Sequence, residues 1–158
     1  MFTLLIGALT VACGVNGGVF FAFSSFVMRA LGALPPATGI AAMQSINILA
    51  VTPIFMIALF GTAIACVATG VYAAMLGVAA APAVLAGAAT YVVGTIVVTI
   101  GFNVPLNNAL AALDPHAGDA VWIWARYRRH WLAWNHVRTV SGIAASAWFA
   151  YALAVTRM

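Results

Sequence analysis

Charge is almost missing from this chain. Of 158 residues, two are acidic and six basic, a charged fraction of 5% where a soluble domain carries roughly 25%. That is too little to coat a water-soluble surface. A hydrophobic fraction of 66% and a mean hydropathy of +1.13 make lipid the expected solvent. With only Asp114 and Asp119 as acids there is no carboxylate pair, and His116, His130 and His136 show no HxxxH or HxxE spacing, so no metal site is expected. Two cysteines, Cys13 and Cys66, stand in different apolar runs without a CxxC and read as small buried apolar residues. A Walker loop, a dinucleotide fingerprint and a Ser-His-Asp set are also missing, which argues against classical hydrolysis and nucleotide use. No internal repeat or low-complexity linker interrupts residues 1–158, so a single domain is expected.

Long apolar runs, by contrast, are abundant. Stretches of about 2–28, 53–76, 82–102 and 137–156 each approach the roughly 20 residues that cross a bilayer. The first is too long for a signal-peptide core and lacks a basic leader, so it reads as a retained helix. Backbone polar groups in hydrocarbon must bond internally. The expected fold is therefore all-α, an integral membrane four-helix transmembrane bundle with an additional interfacial helical segment. That segment lies in 29–52, after Pro35-Pro36. Pro82 is placed to start the third span, Asp114-Pro115 signals a turn, and Asp119 can cap a helix running into the fourth span.

Arg29, Arg126, Arg128 and Arg129 fall in links one and three, against Arg157 at the other end. The positive-inside rule puts those links in the cytoplasm, and the expected location is a bacterial inner (plasma) membrane, multi-pass. A net charge of +4 is accounted for by a headgroup-facing patch, so the expected partner is the lipid bilayer and no nucleic acid. Association with further copies of the chain is left open.

Polar residues within the spans are few enough to examine singly. Tyr91, Thr95, Thr99, Asn103 and Asn107 recur every four residues and make one stripe until Pro105 disturbs the helix. Gly14 and Gly18, with Asn16 between them, and Gly61 with Ala65 are small-xxx-small pairs suited to close helix packing. In "RRHWLAWNHVRTVSG" (128–142), Trp131, Asn135 and Arg138 share a helical face, His130, Trp134 and Arg138 an overlapping one, and His136 a neighbouring side. Arg138 lies about one turn inside the apolar run. Either it snorkels to the headgroups or it meets an anionic ligand or a developing oxyanion.

"GFNVPLNNAL" (101–110), "WLAWNHVRTVSG" (131–142) and "GVNGGVFFAFS" (14–24) together resemble the anthrone oxygenase-like family of small four-helix integral membrane proteins. The resemblance covers nearly the whole chain and rests on Asn103, Pro105, Asn107, Trp134, Asn135, His136 and Arg138. It implies oxidation of anthrones to anthraquinones by molecular oxygen. Such chemistry needs a base, an oxyanion stabiliser and a dry aromatic pocket, with no obligatory cofactor. Histidine suits the base, so His136 or failing that His130 is the candidate. Arg138 and Asn135 are the candidate oxyanion donors. Asn103, Asn107, Trp131, Trp134 and Tyr91 are the candidate contacts to a lipophilic aromatic, anthrone- or quinol-like molecule. Two other readings stay open: a haem- or metal-containing redox protein using His136 or His130 as axial ligand, and a non-catalytic small-molecule binder or accessory membrane subunit.

Overall fold

The computed structural model describes residues 1–156; Arg157, weighed above in the orientation, lies outside them. All described elements are helical, and they form five continuous helices: α1 (Phe2–Ala33), α2 (Pro36–Leu49), α3 (Pro53–Leu76), α4 (Ala81–Ala111) and α5 (Ala120–Val155). Three of them, α1, α3 and α4, are long and apolar enough to cross a membrane, the build of an integral membrane protein. Their outer faces are greasy: Leu4, Val11, Ile64, Val93, Val97 and Ile100 are all exposed.

Local chemistry sets the breaks. Leu34, preceding Pro35, is extended with ψ 158°, as a residue before proline must be. Pro36 then opens α2 and Pro53 opens α3, where the Thr52 hydroxyl accepts from the Phe55 amide at 3.3 Å. Gly77, at φ 62°, ends α3 in the left-handed conformation that a side chain resists. Pro82 lies in the first turn of α4. Asp114 makes the expected turn, its carboxylate accepting from the His116 amide at 2.9 Å, and Asp119 occupies the cap position of α5 without a side-chain cap bond.

Two segments differ from expectation, and the helix after Asp119 runs on into the last apolar run as expected. The 103–136 link shrinks to 112–119, because α4 passes through Pro105 to Ala111 and α5 begins at Ala120. The run 137–156 is the C-terminal part of one 36-residue helix, about 54 Å long and so longer than a hydrocarbon core of about 30 Å. The 29–52 segment holds α2, which packs on α4 and α5 through Gly39, Ile40 and Met43. Gln44 fixes it there, donating to the carbonyl of Leu110 in the last turn of α4 and to that of Leu113 just beyond it, at 2.9 Å each.

Four stretches are π-helical: Phe23–Val27 in α1, Ile57–Gly61 in α3, and Val92–Val97 and Thr99–Asn103 in α4. A π turn closes by i→i+5 bonds and takes in more residues than the 3.6 of an α turn. Residues spaced by four therefore stay on one side through α4, and Tyr91, Thr95, Thr99 and Asn103 are all buried. The π segment ending at Asn103 also relieves Pro105, which has no N–H to give and would clash with the carbonyl four residues back.

The most extensive helix contact joins α1 to α5. A Cβ at Gly142 would lie 2.8 Å from Gly17 Cα, and one at Gly17 would lie 3.0 Å from Ile143 N. Of the expected Gly14/Gly18 pair, Gly14 meets Ser146 of α5, while Gly18 faces open space and Gly17 takes its place at the contact. Gly61 meets only Ile57 of its own helix. Buried apolar residues form two cores. One contains Ile6, Cys13, Cys66, Val84 and Phe149, and the other Met28, Ile40, Met43, Leu110 and Trp124. Cys13 and Cys66 are free and buried, their sulfurs 3.9 Å apart.

Candidate functional site

Between the two cores lies a cavity of about 310 Å³, within the size range of small-molecule sites. Its wall is apolar and aromatic: Phe20 and Phe23 from α1, Met43 from α2, Phe55, Leu59 and Phe60 from α3, Trp131 from α5. Arg138, Thr99, Asn107 and Asn47 are the polar residues on that wall.

Arg138 is 6% exposed. Its Nη2 donates to Asn135 Oδ1 at 2.8 Å and its Nη1 to Thr99 Oγ1 at 3.4 Å. The guanidinium lies over the Phe20 ring at 4.4 Å and the Trp131 ring at 5.1 Å, two cation–π contacts that hold a charge without neutralising it. Among the described residues neither of its hydrogen-bond partners is a carboxylate, and Nε is buried with no partner. Asn135 stands behind the guanidinium, fully buried, with Nδ2 donating to Phe20 O and Ser24 Oγ at 2.8 Å each. One amide thus orients the arginine and satisfies a carbonyl beside the π segment of α1.

Asn107 is oriented just as firmly. Its Oδ1 accepts from Tyr127 Oη at 3.0 Å and from Trp131 Nε1 at 2.8 Å, which leaves its Nδ2 as the free donor. Burial pushes the Tyr127 phenol up from its ordinary pKa and keeps it a donor. Asn47 Nδ2 is buried without a partner on the same wall. The cavity therefore presents amide and guanidinium donors to an aromatic space. That suits an oxygen acceptor on a flat ring system, most of all one that becomes negative.

The other expected site residues stand elsewhere. Tyr91 is fully buried and donates to Leu59 O at 3.1 Å, a carbonyl loosened by the π segment of α3. Asn103 donates to Trp131 O at 3.2 Å, so both are ties between helices, off the cavity wall. Trp134 stacks on Phe102, ring centroids 3.6 Å apart, also away from the cavity. His136 is exposed, its Nδ1 3.0 Å from Ser24 Oγ, and His130 lines a separate groove with Arg126 and Tyr127. The 100° between Asn135 and His136 is the reason: with Asn135 turned inward, its neighbour turns out. A haem in this cavity would find neither histidine on its wall.

Sequence reasoning missed Phe20, Phe23, Met43 and Asn47. Asn47 was the one legible hint, a lone amide in the apolar "SINILAV". Asn16 also gained a role, donating to Ala58 O at 3.0 Å within the π segment of α3.

The anthrone oxygenase family model matches residues 55–148, more than half of the chain. The chain belongs to the anthrone oxygenase family. Comparison with curated proteins and with solved structures finds no match. The family match takes in Phe55, Thr99, Asn107, Trp131 and Arg138, while Phe20, Phe23, Met43 and Asn47 lie before it. One wall of the cavity thus comes from family sequence and the facing wall from the N-terminal third.

Proposed function

We propose that this protein is a membrane-embedded oxygenase of a lipophilic aromatic molecule, anthrone- or quinol-like, using molecular oxygen. One observation carries the reading: a buried guanidinium without a carboxylate partner faces an aromatic-walled cavity beside two further amide donors. In an anthrone the ring CH₂ lies between two aromatic rings, opposite the carbonyl. Transfer of its proton to water, which later returns it to the peroxide formed on that carbon, sends negative charge to that carbonyl oxygen. Arg138 and Asn107 hold this oxygen, and preorganised donors in a dry site favour the charge by several kcal/mol. The electron-rich carbon then reduces O₂; one oxygen atom becomes the new carbonyl and the other leaves as water. His136 does not touch the substrate. It is a positioning residue, joined through Ser24 to the Asn135 that carries Arg138.

The same proposal includes four transmembrane helices, the fourth being the C-terminal half of α5, in a bacterial inner (plasma) membrane with links one and three cytoplasmic. No cofactor is required for this chemistry, and a visible spectrum without a Soret band distinguishes it from the haem reading. The deciding experiment is oxygen uptake by purified protein with a panel of anthrones and hydroquinones. Wild type should turn over at least one of them. Arg138→Lys keeps the charge but loses the planar fork, and its rate should fall about a hundredfold. Binding without oxygen uptake would leave the non-catalytic binder as the correct reading.

A further inference from the structure

A second polar site lies outside the cavity. Arg29 of α1 and Arg128 and Arg129 of α5 line a groove of about 250 Å³ whose floor is Met28, Ala125 and Leu132. Arg128 is held in place there. Its guanidinium lies 5.4 Å from the Trp124 ring and flush against Gly32, where any Cβ would collide with it. Its Nε is buried and has no partner among the described residues. The chain's two acids, Asp114 and Asp119, are both in the 112–119 link and neither lines the groove.

Three cations gathered from two helices repel one another, by about 1 kcal/mol per pair at 4 Å in water and more where water is displaced. An anion removes that cost, and the guanidinium fork matches a phosphate through paired hydrogen bonds. The floor adds a second requirement, because methionine and leucine side chains want apolar company. A phosphate carrying acyl chains meets both. We infer that this groove binds the phosphate of an anionic phospholipid, with the chains running down over Met28 and Leu132. The groove is separate from the cavity, and nothing in its occupancy depends on turnover.

The test uses the full chain in a neutral detergent, with thermal unfolding followed against added short-chain phosphatidylglycerol, phosphatidylcholine or inorganic phosphate. Phosphatidylglycerol should raise the midpoint saturably, at least about tenfold more tightly than phosphatidylcholine. Arg29 and Arg129 are exposed, so the double variant Arg29→Gln/Arg129→Gln should fold normally and bind phosphatidylglycerol about thirtyfold more weakly. If that variant shows no cooperative transition, Arg29→Gln alone takes its place, with a loss of about fivefold. Equal affinity for phosphatidylcholine, undiminished affinity in the folded variant, or saturation by inorganic phosphate at the same concentration would each overturn the assignment.

Discussion

Arg138 and Asn107 carry the proposed site, and they differ in what a substitution would show. Asn107 holds two donors at once, Tyr127 Oη and Trp131 Nε1. Asn107→Leu keeps the side-chain size while orphaning both, and each buried unpaired donor is unfavourable by about 1–3 kcal/mol. Trp131 is the one tryptophan on the cavity wall, so quenching of its emission by a bound quinone gives a direct Kd. That Kd should rise by about tenfold in Asn107→Leu, with His130→Gln unchanged. An unaltered Kd in the leucine variant would remove Asn107 from the site. Both were legible in the sequence, Asn107 as the end of the polar stripe that begins at Tyr91 and Arg138 as a charge about one turn inside an apolar run. His136, read as lying on a neighbouring side of the helix, is exposed beside Ser24, and His130 lines a separate groove.

At the scale of the helices, the approach of α1 to α5 is set by two glycines that face each other, Gly17 and Gly142. Gly142→Val forces the backbones apart, and overpacking of this kind destabilises by about 1–3 kcal/mol. Gly18→Ala, at a position facing open space, should be neutral or slightly stabilising, since alanine is the better helix former by about 1 kcal/mol. Thermal unfolding in detergent checks both, and equal midpoints for the two variants would refute the contact. The helices themselves were legible from apolar runs and proline positions. The π segments were not. The one in α3 has carbonyls claimed by Asn16 and Tyr91 of neighbouring helices, a tertiary demand of which composition carries no trace. The inward role of α2 was hidden for a related reason: a short apolar helix reads alike whether it lies on a membrane surface or closes a cavity.

For the molecule as a whole, the groove shared by Arg29, Arg128 and Arg129 brings links one and three to the same end of the bundle. Single cysteines replacing Ala33 and Gly118, in a background without Cys13 and Cys66, should therefore be labelled from the same side of the membrane. Labelling from opposite sides would contradict the bundle. The two apolar cores meet at the cavity, with Phe20 and Leu59 belonging to one, and Met43 and Trp131 to the other. Whatever fills that space touches both halves at once. A ligand that binds only the folded state stabilises it by about 2.7 kcal/mol at a hundredfold excess over Kd, and here the gain is shared across a seam. The occupant thus works as a keystone, coupling two blocks of the protein that are otherwise joined along their helices.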